Sequence, residues 1–267
     1  MSTYELGIVI LTSADTNCSC SFQILGSSLA KPGALNSEST LPVTKIEPSS
    51  TVAPIGCPIA ILSAVETFAL HWRVNGMFAL PFADVENLKD TLHRLRSYDI
   101  SAWAMNVTVN DPMVGCMDLM QLGTIWKLSA EIYARYVLFN LTGDASILNP
   151  SLVDDLLETY TFLNREDDDL LKCLIWPTFI AGAATNSQQK RLWVLQTLDR
   201  IWHIGHCANT RNAAMVLESL WKKHDSISSR VMPLHNNLVT AEHLSVDHNA
   251  YNWLLELSLL DGSWLFI

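Results

Sequence analysis

From residue 58 onward, apolar side chains recur every three or four positions, the period of a helix with one buried face. Ile59, Leu62, Glu66, Ala69 and Trp72 lie about a turn apart, and Gly76 is a natural stop. Asp84 can cap a second helix on which Val85, Leu88, Leu92 and Leu95 share a face. The longest pattern places Leu122, Ile125, Trp126, Ile132, Tyr133, Tyr136 and Val137 on one stripe that Gly143 ends. Asn149 and Pro150 then read as an N-cap followed by proline at the first helical position, with Leu152, Val153, Leu156, Leu157, Tyr160 and Leu163 behind them.

Residues 174–185 break the amphipathic rhythm. The stretch LIWPTFIAGAAT has no charge and carries Trp176 and Pro177 near its middle. Asp167, Asp168 and Asp169 precede it, as suits the positive end of a helix dipole. Pro177 lacks an N–H and crowds the carbonyl of Cys173, so the helix must kink or break there. Apolar residues all round predict burial all round.

Amphipathicity then returns. Over residues 188–204, Leu192, Leu195, Leu198 and Trp202 are expected inward, Lys190, Gln196, Asp199 and Arg200 outward, with Gly205 as terminator. Asn209 or Thr210 can cap the next helix, with Ala213, Val216, Leu217, Leu220 and Trp221 inward and Lys222, Lys223 and His224 near its negative end. A short amphipathic piece around Trp253 follows. From residue 58 onward there is no strand-like alternation. The fold class is all-α, an irregular bundle of about seven or eight helices with a proline-kinked, buried central helix.

Residues 1–56 differ from the rest. They hold 16 Ser and Thr, four Pro and no Trp, whereas all nine tryptophans lie beyond residue 70. The expected organisation is a poorly ordered or divergent segment over 1–56 and a helical domain over 57–267.

Composition narrows the function. A net charge of −10 on 267 residues is the wrong sign for a chain that binds nucleic acid by itself, since phosphate contacts supply most of that affinity. The longest uncharged apolar run, residues 173–184, is 12 residues against the roughly 20 that span a bilayer, so no membrane segment is expected. The six cysteines are spread from Cys18 to Cys207, and only Cys18 and Cys20 are close. Paired Cys-x2-Cys runs for structural zinc are missing, and Cys57, Cys116, Cys173 and Cys207 read as buried small apolar residues.

Three clusters invite a chemical reading. The acidic run at 166–169 superficially matches the carboxylates of magnesium-dependent helical enzymes, but consecutive residues fan around a helix instead of converging on a metal. His203, His206 and Cys207 could supply soft ligands, but a helix end at Gly205 would part the two histidines. No nucleophile elbow, phosphate loop or dinucleotide fingerprint is present. The expectation is therefore no catalytic residue, no metal and no cofactor. Trp176, Phe179, Trp193, Trp202 and His203 remain as candidates for a ligand-binding or effector surface, with core packing as the competing account of the tryptophans.

The stretch Trp176-Pro177-Thr178-Phe179-Ile180-Ala181-Gly182 resembles a signature of the regulatory region of fungal-specific transcription factors of the zinc binuclear cluster type. Arg191, Trp193, Asn209, Trp221, Asp225, Trp253-Leu254-Leu255-Glu256 and the closing Trp264-Leu265-Phe266-Ile267 extend the resemblance, strongly over 121–267 and more weakly over 57–120. The resemblance implies an all-helical effector domain in a nuclear transcription regulator, not an enzyme. Its implied partners are transcriptional machinery or co-regulators, with room for a homodimer and a small apolar effector such as a sterol or secondary metabolite. The six-cysteine cluster that reads DNA in that family has no counterpart in this sequence, so no direct DNA binding is expected of these residues alone.

Overall fold

The computed structural model describes residues 56–75, 82–110, 115–163, 168–230 and 252–258. The reading of residues 1–56 as poorly ordered therefore lies outside the described residues except at Gly56, as do Cys18, Cys20, Glu166 and Asp167. The described residues form helices and no strand.

Four helices come first: α1 (Ile59–Asn75), α2 (Phe82–Ser97), α3 (Ile100–Asn110) and α4 (Cys116–Thr142). α5 (Ser151–Thr161) follows, then the short α6 (Asp168–Leu171), and α7 (Ile175–Ala183). α8 (Gln188–Gly205), α9 (Ala208–Arg230) and α10 (Trp253–Ser258) complete the order.

The long α4 is one axis of the bundle, with α1, α2, α3, α5, α7 and α10 packed against it. It can serve so many neighbours because Leu122, Ile125, Trp126, Ala134, Val137 and Leu138 bury different sides of the same helix. Gly143 ends it as expected. It takes the left-handed conformation at φ 72°, and its N–H caps the carbonyl of Phe139 at 2.8 Å. α7 is the second axis, and α4, α5, α8 and α9 surround it. Every residue from Trp176 to Ala183 is buried, as a helix apolar on all sides must be.

The bend expected at Pro177 takes the form of a break. A 3₁₀ turn (Lys172–Leu174) separates α6 from α7, and Leu174 leaves helical geometry at φ −113°, ψ 17°. Pro177 then lies within the first turn of α7, where backbone N–H groups have no intrahelical acceptor and a missing one costs nothing. Proline here starts a helix instead of bending a continuous one.

Other expectations shift on inspection. α3 has no counterpart in the sequence reading. Its uncharged outer positions hide the amphipathic period, and Asp99 caps it by accepting the N–H of Ala102 at 3.0 Å. α5 is capped as expected by Asn149, whose side-chain oxygen accepts the N–H of Ser151 at 3.2 Å. The inward face of α8 is Arg191, Val194, Leu198 and Ile201, while Leu192 is 57% exposed. Gly205 belongs to α8, and His206 takes the left-handed cap at φ 48° in its place. α9 begins at Ala208, so Asn209 and Thr210 lie inside the helix instead of capping it. Of the four cysteines expected to be buried, only Cys57 is fully so; Cys116, Cys173 and Cys207 are half-buried.

Candidate functional site

The Trp176–Gly182 stretch owes its residue types to the neighbours each one meets. Trp176 stacks on Trp126 of α4 with centroids 5.3 Å apart and planes 12° from parallel, and Tyr133 meets it edge-on at 6.0 Å. The Thr178 and Tyr160 hydroxyls share a buried hydrogen bond of 2.9 Å that joins α7 to α5. Burial pushes the Tyr160 hydroxyl far above the ordinary phenol value, against the opposing effect of that bond, so Tyr160 is neutral. Phe179 meets Trp253 edge-on at 6.4 Å and so helps to seat α10.

Gly182 is required by close approach. A Cβ there would lie 2.8 Å from Leu217 and 2.9 Å from Val194, the two helices flanking α7. Its carbonyl accepts the indole N–H of Trp221 at 3.0 Å. Gly182→Val is expected to push α8 and α9 off α7 and to destabilise the chain by about 1–3 kcal/mol. Gly205→Ala is the control. Its new methyl would meet Lys172 at an ordinary 3.6 Å, and the change should stay within about 0.5 kcal/mol. Urea denaturation midpoints of both variants, compared with the parent, check the contrast.

α8 and α9 are locked by a buried arginine. Arg191, 4% exposed, donates from Nη1 to both carboxylate oxygens of Asp225 at 3.0 and 2.9 Å. Its guanidinium lies 5.3 Å from the centre of the Trp221 ring, and His224 Nδ1 is 3.3 Å from Arg191 Nη2 and from Asp225 Oδ1. Partial desolvation pushes the Asp225 carboxyl up, but the hydrogen bonds from Arg191 and His224 outweigh it, and the net shift is downward. A carboxyl held lower in the folded state stabilises it fully above the unfolded value of about 3.9, and loses that contribution as pH falls through the folded value. Because the Asp225 side chain is 51% exposed, the contribution is about 1 kcal/mol at most. Asp225→Asn should therefore lower the urea midpoint slightly at neutral pH, and the gap to the parent should close below about pH 4. A gap that persists unchanged in acid would show that the charge of Asp225 is not what matters.

The five sequence-predicted effector residues are not brought together. Trp176 and Phe179 are buried in the core, at 7% and 2% exposure. Trp193 is half-buried and meets Tyr160 edge-on at 5.1 Å. Trp202 is also half-buried, beneath the guanidinium of Arg211 at 3.7 Å and edge-on to His206 at 5.4 Å. The His203 side chain is 69% exposed, 3.5 Å from Asp199 one turn earlier. Among the described residues no group of three or more His, Cys, Asp or Glu side chains is placed to hold a metal ion.

Trp193, one of the five, borders a cavity. A space of about 170 Å³ lies between the end of α5, α6 and α8, lined by Tyr160, Leu163, Leu171, Trp193, Thr197 and Arg200, with Thr161 beside them. Periodicity placed Arg200 outward, and it is exposed; Thr197 was not singled out. The signal that could have found them is their spacing from Trp193, four and seven residues on, which puts all three on one face of α8.

The described residues thus form a two-axis helical body built around a buried Trp-Pro segment. The chain belongs to the fungal specific transcription factor domain family, which matches residues 80–252. That span runs from just before α2 to just before α10 and includes both axes. The chain is also similar to the acriflavine sensitivity control protein acr-2 of Neurospora crassa, at 22% identity over 185 residues. The alignment covers 66% of this chain and 28% of that protein, so the chain spans less than a third of its relative's length. No solved structure matches.

Proposed function

We propose that this chain is the effector part of a nuclear transcription regulator, acting through protein contacts with transcriptional machinery or co-regulators and without a zinc cluster of its own. The observation that carries the reading is the family match over 80–252, which coincides with the helical body centred on α4 and α7. A relative named for the control of acriflavine sensitivity accords with a regulatory role. The charge balance supports protein contacts over DNA contacts, because a surface with a net charge of −10 repels phosphate. Among the described residues no helix is long and apolar enough to cross a membrane.

Fusing the 267-residue chain to a foreign DNA-binding domain and measuring output from a reporter with matching sites tests the proposal. A several-fold change in either direction is expected, and it should be lost when Gly182→Val disturbs the packing of α7. Unchanged output from a stably expressed fusion, across growth conditions, would reject an effector role.

A further inference from the structure

The approach to α1 brings two cysteines from distant parts of the chain to one place. Gly56, just before α1, takes the left-handed conformation at φ 67°. It passes so close to α4 that a Cβ there would overlap the Leu122 side chain, so only glycine fits. The Cys173 sulfur lies 3.8 Å from that same Cβ position. The next residue along is Cys57, which is fully buried. Cys173 belongs to the 3₁₀ turn between α6 and α7, and it is half-buried. Both are thiols.

Their surroundings give the two sulfurs different roles. Burial pushes the Cys57 thiol well above its ordinary range, and the neighbouring Cys173 acts in the same direction. Cys57 therefore stays protonated and is inert toward an oxidant arriving from water. Cys173 is the sulfur that a small oxidant can reach. Neither residue lies inside an α-helix. Cys57 precedes α1, and the turn that holds Cys173 departs from helical geometry at Leu174. Backbone at the ends of elements shifts at lower cost than backbone within a helix, which helps the pair to adopt disulfide geometry.

We propose that Cys57 and Cys173 are a peroxide-responsive pair that closes to a disulfide. Hydrogen peroxide oxidises the Cys173 thiol to a sulfenic acid and is itself reduced to water. The Cys57 sulfur then attacks the sulfenic sulfur. The S–S bond forms, the S–O bond breaks, and the departing hydroxyl takes the Cys57 proton and leaves as a second water. The bond would staple the start of α1 to the turn that opens α7. It closes the long loop of residues 57–173, which limits the unfolded chain and so favours the folded one. The proposal does not rest on the transcription reading.

Treating the reduced full chain with hydrogen peroxide, blocking the remaining thiols and mapping peptides by mass spectrometry tests it. A linked Cys57–Cys173 peptide pair is expected, with a rise in Tm of about 5–10 °C that dithiothreitol reverses. Cys57→Ser should give no such link and should leave Cys173 as a sulfenic acid that dimedone traps. Cys173→Ser should leave Cys57 a thiol. Links through Cys18, Cys20, Cys116 or Cys207 in place of Cys57–Cys173 would overturn the proposal. So would an unlinked Cys173 in the oxidised parent, or an equal yield of the Cys57–Cys173 link from the urea-unfolded chain, since the fold would then not be what pairs them.

Discussion

Replacing Trp176 by alanine should lower the stability of the chain by about 3–5 kcal/mol, the range seen when a buried large aromatic is truncated. Two ring contacts and the burial of the indole are lost together. The stack on Trp126 and the edge contact with Tyr133 join α7 to α4, and the apolar area of the indole itself leaves the core. Against a total of about 5–15 kcal/mol, the change should appear as a large drop in the urea midpoint with little change in slope. Pro177→Ala should do much less. Pro177 sits where no helical hydrogen bond is missing, so mainly two buried methylene groups are lost, at about 0.8 kcal/mol each. If Trp176→Ala were neutral for folding but removed reporter output, Trp176 would have to face a partner, and the packing of α7 on α4 would be wrong.

Glu131→Ala is the second large effect, expected near the lower end of the 3–5 kcal/mol that follows when one member of a buried ion pair is removed. Glu131 is 7% exposed on α4. It accepts from Arg135 Nε at 2.9 Å and Nη2 at 2.7 Å, and Arg96 of α2 reaches it at 3.3 Å. Arg135, whose side chain is 14% exposed, also donates to the carbonyl of Ile147 at 2.6 Å, so the network joins α4 to the turn before α5. Without Glu131, the partly buried Arg135 charge keeps the Ile147 carbonyl as its acceptor. Arg96, 56% exposed, returns to water at little cost, which is why the lower end applies. Glu131→Gln keeps the shape and one acceptor, and should lose about 1.5–3 kcal/mol, the worth of hydrogen bonds to a charged group. Urea denaturation of the two variants distinguishes the readings. A loss below about 0.5 kcal/mol for Glu131→Ala would mean that the carboxylate is solvated.

The helices that were legible in the sequence are those whose signals are local. Gly143 ends α4 because only a residue without Cβ strain takes the left-handed cap easily, and Asn149 opens α5 because its side chain reaches an N–H two residues on. The inward face of α9 could be read for the same reason: Ala213, Val216, Leu217, Leu220 and Trp221 repeat at helical spacing and are all buried. The uncharged α7 announced its own burial. The resemblance carried by Trp176 to Gly182 pointed to the family that the match over 80–252 establishes.

What escaped the sequence is what depends on partners far along the chain. Periodicity placed Leu192 inside and passed over Arg191, yet Arg191 is buried because Asp225, 34 residues away, neutralises it and Trp221 covers it. The i,i+4 pair of Glu131 and Arg135 is visible in one helix; the third member, Arg96, comes from another. Gly182 reads as a helix weakness until Leu217 and Val194 are seen against it. The cavity has no sequence signature, because its lining joins the end of α5 to a face of α8 through Tyr160 and Trp193. The sequence by itself determined an all-helical body, the caps at Gly143 and Asn149 and several buried faces, because hydrophobic period and backbone capping act within a few residues. Only the tertiary structure decided which charges are buried, why α7 needs glycine at Gly182 and where a ligand-sized space remains, because each follows from contacts between helices distant in the chain.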